Sequence, residues 1–309
     1  MLRVVVLGAA AGGGVPQWNC GCEGCRAARA NGHELQRTQA SVAFSGDGEH
    51  WFLINASPDL RQQLNAAPQL HPKAGVLRHT PIAGVILTNG EVDAVAGLLS
   101  MRESSPFAIY AHPKVLAILK SNNIFDVLNE KYVRRCPIAL DVAFEPVLSD
   151  GSPSGLEVLP FIVPGKGAWY LEGKAHPGGS DGAGDTVGLR ITDKATEKYF
   201  YFLAACAEVT DALKAMITGA PLVFFDGTVW QDDEMIRAGL GQKTGKSMGH
   251  ISMSGDHGAI ASLSNLAIDR KIFLHINNSN PALLPASPER KAAERAGWQI
   301  PSDGTEIVL

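Results

Sequence analysis

The chain has 309 residues, of which 45% are hydrophobic and 19% charged, with a formal net charge of −4 and a pI near 6.1. That balance excludes electrostatic attraction to nucleic acid or to an anionic membrane surface as an organising function. No apolar run approaches the roughly 20 residues of a membrane span, and the first residues run straight into a strand pattern without a secretory leader, so a cytoplasmic location is expected. A chain of this length buries roughly three quarters of the surface it exposes when unfolded, enough for one large domain or two small ones.

In chain order, Arg3–Leu7 reads as a β-branched strand and Gly8–Gly14 as a glycine-rich turn. The turn is not a dinucleotide fingerprint, because Ala10 stands where the second glycine of Gly-x-Gly-x-x-Gly belongs. Next comes Cys20-Gly-Cys22-Glu-Gly-Cys25, which carries three of the five cysteines. Three thiols at this spacing can converge on one tetrahedral zinc, with a fourth ligand from elsewhere; reduced structural cysteines are the alternative. A closed sulfur shell of this kind is structural, since no position is left for substrate. A helix follows over Arg26–Arg29, then paired strands over Ser41–Phe44 and Trp51–Asn55, and a short helix over 59–69.

Ala83–Leu87 is a compact apolar segment, read as a buried strand. Straight after it, Asn89, Glu91 and Asp93 alternate, which puts an amide and two carboxylates on one side of the backbone beyond the strand. One cation can meet all three there; the alternative is a polar loop in which Asp93 caps the next helix. Phe107–Tyr110 and Leu156–Val163 read as strands, and 113–120 as a helix that starts at Pro113. Lys166, after the second of these strands, is either an anion contact or a solvated lysine. The Gly-rich stretch 176–185 is expected to form a loop over the site.

Thr186–Ile191 and Tyr199–Leu203 form a strand pair leading to Ala204-Ala205-Cys206, with Cys206 expected to be buried and inert. Leu222–Phe225 is a buried strand ending in Asp226, where an acid is either a site residue or part of loop geometry. A helix is expected from Met248-Gly-His250-Ile-Ser252 to Leu266, with Ser252 as its cap. Ile272–Leu274 is the next strand, running into His275-Ile-Asn277-Asn278. Trp298–Ile300 and Thr305–Leu309 are expected to pair as a hairpin across Asp303-Gly304.

The spacing of Thr88, Asp93, Gly97 and Leu98 resembles the metallo-β-lactamase superfamily signature Thr-His-x-His-x-Asp-His-x-x-Gly-Leu. Its three histidines fall on Asn89, Glu91 and Ala94, so only Asp93 is retained, with Glu91 still able to bind metal. Gly14-Val-Pro-Gln-Trp-Asn-Cys-x-Cys-x-x-Cys25 is similar to a small branch of that superfamily. The branch includes a phosphonate-pathway phosphodiesterase and proteins of pyrroloquinoline quinone (PQQ) biosynthesis. Asn55-Ala-Ser-Pro-Asp59, Phe224-Phe-Asp-Gly-Thr-Val-Trp230, Met248-Gly-His-Ile-Ser252 and His275-Ile-Asn-Asn-Ser-Asn-Pro281 extend the likeness to the PQQ members from Val4 to the C-terminus.

The resemblance implies an α/β metallo-β-lactamase fold, a four-layer αββα sandwich formed by one domain over residues 1–309, with a structural zinc loop at 19–26. It makes His275 the last active-site metal ligand. Pro164-Gly165-Lys166 and Ala204-Ala205 stand where other members keep a histidine and a bridging aspartate. One active-site metal is therefore expected, held by Glu91, Asp93 and His275, with Asn89 as a further candidate and Asp226 and His250 orienting ligands or moving protons. Such an oxygen-rich set suits Fe(II), Mn(II) or Mg(II) better than zinc. The fourth ligand of the Cys20, Cys22 and Cys25 zinc falls on Asn278, a poor zinc donor, leaving water or His33 as substitutes.

The implied role is in PQQ biosynthesis, as an iron- and O2-dependent hydroxylase of the tyrosine ring in a Glu-Tyr-derived precursor. The alternatives are a carrier of PQQ or its precursor toward the periplasm and a metal-dependent hydrolase, the second disfavoured by the lost histidines. A homodimer is expected through the cysteine loop beside Trp18.

Overall fold

The computed structural model describes residues 1–173 and 182–309, without the side chain of His33. Two of the expectations above, His33 as a zinc ligand and the 176–181 part of the Gly-rich loop, lie outside the described residues. The strands are β1 (Arg3–Gly8), β2 (Ser41–Ser45), β3 (Trp51–Ile54), β4 (Ile82–Leu87), β5 (Phe107–Ala111), β6 (Val133–Pro137) and β7 (Leu156–Ile162). They continue as β8 (Val187–Asp193), β9 (Tyr199–Leu203), β10 (Val223–Asp226), β11 (Lys271–Leu274), β12 (Trp298–Gln299) and β13 (Thr305–Val308).

Alternation along the strands decides the layering. In β1, Val4 and Val6 join Phe44, Phe52, Leu189, Phe202 and Phe224 in the core between two sheets. Val5 and Leu7 face the other way, onto Leu60, Val95, Leu98 and Leu119 of the helical segments. In β10, Phe224 points inward, while Val223 and Phe225 pack outward on Leu213, Ile217 and Leu263. Strands buried on both faces read as unbroken apolar runs, which is how β4 and β10 appear in the sequence. Two such sheets between two helical layers make the four-layer αββα sandwich.

The sheets have the orders β13-β1-β2-β3-β4-β5-β6 and β12-β11-β10-β9-β8-β7. In each, an antiparallel trio (β1–β2–β3, β7–β8–β9) passes into parallel strands (β4–β5–β6, β10–β11–β12). The repeated succession on either side of residue 150 is thus a repeated topology. Its consequence is functional: the C-terminal ends of β3, β4, β9, β10 and β11 open on one edge, where ligands of open α/β sheets collect.

Two elements differ from expectation. Trp298–Gln299 and 305–308 do not form a hairpin. β12 pairs with β11 in one sheet and β13 with β1 in the other. Trp298 stacks on Phe273 with ring centroids 3.8 Å apart, whereas Ile307 is drawn into the core between the sheets. The helix expected from 252 to 266 shrinks to Ala259–Ser262. Gly255 takes φ +91°, and a Cβ on Gly258 would collide with the Ser254 carbonyl, so the chain turns instead of coiling. Residues 250–254 lie across strand ends, through Ile251 N to Cys206 O at 2.7 Å and Met253 N to Val229 O at 2.9 Å. That crossing places His250 over β10.

Candidate metal centre and cavity

The loop after β4 is braced from beneath. Asn55, at the end of β3, adopts φ +62°; its side-chain oxygen accepts the Thr88 N–H at 2.9 Å and its amide donates to Thr88 Oγ1 at 2.9 Å. Gly97 N donates to Ala56 O at 2.8 Å, and a Cβ on Gly97 would strike the Ser57 carbonyl, so only glycine allows this approach. Held this way, Asp93 presents its carboxylate to the residue that follows β11. His275 there has φ +57°, a left-handed conformation that costs a non-glycine residue about 1–3 kcal/mol and that surrounding contacts must hold in place.

His275 Nε2 lies 2.7 Å from Asp93 Oδ2, and His275 Nδ1 lies 2.9 Å from Thr228 Oγ1. Asp226, fully buried at the end of β10, accepts from Cys206 N at 2.8 Å and Thr228 N at 2.9 Å. It also meets Thr228 Oγ1 at 2.7 Å and His250 Nδ1 at 2.7 Å. Donor counting then assigns the protons. The single Thr228 O–H donates to the Asp226 carboxylate, so Oγ1 accepts from the Nδ1–H of His275. His250 donates its own Nδ1–H to Asp226.

Asp226, His250 and His275 are close enough to look like a metal triad. The atoms that converge already surround the Thr228 hydroxyl, so this is a hydrogen-bond node. With both Nδ1 atoms committed to this node, His275 presents Nε2 to Asp93, and His250, which also lines the cavity, keeps its own Nε2. Such an outer hydrogen bond that fixes the ring's tautomer is the usual support of a ligating histidine.

Burial opposes charge on His275, but the hydrogen bond to Asp93 and the nearby carboxylates outweigh it and raise its pKa above the ordinary value. Burial likewise opposes ionisation of Asp93, and the bond and charge of His275 overcome it, holding the carboxyl below its ordinary range. Asp93 and His275 are thus paired as carboxylate and imidazolium, and the same two atoms are the ones that would turn to a divalent cation in place of the shared proton. The His250 and His275 rings stack, with centroids 5.0 Å apart.

Glu91, Asp93, His250 and His275 line one cavity of about 580 Å³, together with Gly12, Gly13, Asn89 and Thr186. Glu91 is on its wall rather than at the Asp93–His275 contact, because its carboxylate accepts the Trp169 N–H at 2.8 Å. Burial, with Asp93's charge adding to it and Trp169's bond opposing, pushes the Glu91 carboxyl up to about 7. Asn89 spends its side-chain oxygen on Glu91 N at 3.0 Å. At the mouth, Lys166 and Lys243 share Glu172.

The second donor group is separate. Cys20, Cys22 and Cys25 bring their sulfurs within 4.8 Å of one another. The Asn278 amide nitrogen lies 3.0, 3.6 and 3.4 Å from these sulfurs, and Gln17 N is 3.3 Å from Cys25 Sγ. The thiols would hold a zinc, and the Asn278 side chain covers their open side. Cys206 is buried elsewhere, and burial with the neighbouring Asp226 charge pushes its thiol up to about 12.

The structure brings Asp93 to His275, His250 to Asp226 and the three cysteines to one another, and leaves Glu91 on the cavity wall. Thr228, Trp169 and Lys243 escaped the sequence reading. Thr228 had one signal, a hydroxyl two residues past a strand-end acid; the other two had none. No helix among the described residues is long and apolar enough to cross a membrane.

Residues 50–276 match the beta-lactamase superfamily domain. The chain is 82% identical over its full length to coenzyme PQQ synthesis protein B of Bradyrhizobium diazoefficiens, covering all of both chains. It is 50% identical to the crystal structure of Zn2+-bound PqqB from Methylobacterium extorquens, with a TM-score of 0.92 over 99% of this chain and 100% of that one. A diphosphatase of the PhnP family shares the fold at 21% identity, with a TM-score of 0.68 over 99% of this chain and 96% of that one. The match over residues 50–276 and the full-length identity to these relatives decide the family: the chain belongs to the beta-lactamase superfamily and, within it, to the coenzyme PQQ synthesis protein B family.

Proposed function

We propose that this chain acts in PQQ biosynthesis as an iron- and O2-dependent hydroxylase of the tyrosine-derived ring in a Glu-Tyr-derived precursor. The names of its relatives support the pathway. The observation that carries the reaction is the donor set on the cavity floor. Asp93 and His275 face each other across 2.7 Å, and Glu91 stands on the adjoining wall. Asn89, Ala94 and Ala205 occupy positions where two-metal hydrolases of the superfamily keep donors.

These residues fit one divalent cation, because His275 commits Nδ1 to Thr228 and only Nε2 is left for it. Asp93, His275 and Glu91 would hold that ion, Glu91 after release from Trp169. Fe(II) bound to such an oxygen-rich set supplies dioxygen activation, with Mn(II), Mg(II) and Zn(II) as competitors for the site. Cys20, Cys22 and Cys25 would hold a separate structural zinc.

The protein's own groups do the rest. Thr228 and Asp226 fix the orientation of both imidazoles. His250, anchored to Asp226 through Nδ1, is placed to take a proton from a phenol in the cavity. Gly12, where a Cβ would lie 3.6 Å from Asp93 Oδ2, leaves room beside that carboxylate, and Gly13 and Thr186 line the same cavity.

The test is anaerobic loading with Fe(II), then O2, ascorbate as two-electron reductant and a cross-linked Glu-Tyr peptide, read by mass spectrometry. One oxygen atom should enter the product, the other leaving as water, in wild type but not in Glu91→Ala, which keeps its cysteine-bound zinc. Loss of both metals in that variant would overturn the two-site assignment. A carrier is the competing reading, favoured by Asn89 and Ala94 standing where the superfamily signature has histidines. Tight binding of PQQ or its precursor with no mass change would establish it.

A further inference from the structure

The mouth of the cavity carries two ammonium groups from separate loops that converge on one carboxylate. Lys166 Nζ lies 3.1 Å from Glu172 Oε1, and Lys243 Nζ lies 3.3 and 3.2 Å from Glu172 Oε1 and Oε2. Ordinary surface ion pairs contribute little and need no special reading. This one differs in three respects. All three side chains line the cavity that contains Asp93 and His275. Two cations meet one anion, so positive charge is left over at the mouth, while on the floor Asp93 is matched by His275.

The third respect is placement. The stem of Lys166 is seated against Gly249, beside His250, where a Cβ would lie 3.2 Å from that of Lys166. Its carbonyl accepts the Thr186 hydroxyl at 3.1 Å. Glu172, in turn, ends a short segment tied to the metal loop, through Trp169 N to Glu91 and Tyr170 O–H to Gly90 O at 2.7 Å. Trp169 is 64% exposed and lines the same mouth, offering a flat face to an aromatic body.

We propose that Lys166 and Lys243 form a carboxylate-binding subsite at the cavity mouth, occupied in the free protein by Glu172, and that the substrate is an aromatic carboxylate which displaces it. A ligand carboxylate has the same charge and the same two oxygens as the group it replaces, so both ammonium groups stay paired throughout the exchange. The subsite deepens the hydroxylase reading and rests on it for the placement of the ring.

The test is calorimetric titration of the full-length, zinc-loaded protein with three probes: PQQ, its trimethyl ester, and benzene-1,3,5-tricarboxylate. K166M and K243M should each raise Kd for the two tricarboxylates about tenfold, the double variant about a hundredfold, with no change for the ester. E172Q should tighten both tricarboxylates, since the resident competitor loses its charge. The lysines are about half exposed, so folding and zinc content should be unchanged by circular dichroism and metal analysis.

PQQ and benzenetricarboxylate binding the double variant as tightly as wild type would overturn the subsite and leave the PQQ reading intact. Lysine-dependent binding of benzenetricarboxylate without binding of PQQ would uphold the subsite and overturn that reading. Failure of both tricarboxylates to bind wild type at millimolar concentration would overturn the subsite.

Discussion

Two donor clusters in this molecule use the same principle of convergence to opposite ends. Cys20, Cys22 and Cys25 come from one short loop, and Asn278 covers the corner they leave, so the cluster is closed. Asp93 and His275 follow strands of different sheets, 182 residues apart in sequence, and meet on the floor of a cavity of about 580 Å³. A closed sulfur set stabilises a fold, whereas an open oxygen and nitrogen set leaves positions for reacting groups. The difference follows from where the residues are held. A local loop can wrap its ion, while strand ends in two sheets can only face each other across a gap.

The sharpest way to break this comparison is to damage the closed cluster. Cys25→Ser should release zinc and lower stability by about 4 kcal/mol, within the range for loss of a structural cross-link, as read from zinc content and the thermal midpoint. A variant that sheds zinc without a change in midpoint would show that the loop is not structural.

At the open cluster the effect should fall on metal rather than on fold. Thr228→Val keeps the shape of the side chain but removes the acceptor of the His275 Nδ1–H. Metal affinity at the cavity should drop about 10–100-fold, with zinc at the cysteines retained, as measured by competitive chelation. Equal loss at both sites would mean that the clusters are coupled.

Asn278→Ala probes the cover of the closed cluster. It removes three N–H···S contacts and leaves the thiolates in place, so zinc should exchange faster with a chelator and stability should fall by about 1 kcal/mol, read as a lower thermal midpoint. Unchanged exchange would leave Asn278 a bystander.

The smallest effect is expected far from both clusters, in the turn between β2 and β3. Burial opposes ionisation of Asp47, but bonds from the His50 N–H and ring and from Glu49 N outweigh it and hold the carboxyl at about 2. The folded pKa lies below the unfolded one, so the stability it contributes is present above about pH 4 and is lost as pH falls toward 2. The pair is nearly half exposed, so screening keeps the contribution under about 1 kcal/mol. Asp47→Asn should flatten the acid limb of the stability curve; an unchanged limb would assign acid sensitivity elsewhere.

The sequence determined whatever depends on neighbours along the chain. The apolar runs of β4 and β10 declare strands buried on both faces. The spacing of Cys20, Cys22 and Cys25 declares a sulfur cluster. The frame of Thr88, Asp93, Gly97 and Leu98, with its missing histidines, declares both a superfamily and a departure from it. These signals are local, and a periodicity or a spacing is enough to read them.

Tertiary structure decided what depends on which strands end together. Only the alignment of β10 and β11 brings Thr228 between Asp226 and His275. Only the extended crossing of residues 250–254, forced by Gly255 and Gly258, carries His250 over β10 where a helix was expected. Trp298 and Ile307 are near neighbours in sequence, yet the two sheets compete for them and separate the strands that a hairpin would have joined. The convergence of Lys166, Lys243 and Glu172 at the cavity mouth leaves no periodic trace, because each lies on a different loop and side chains meet there by packing alone.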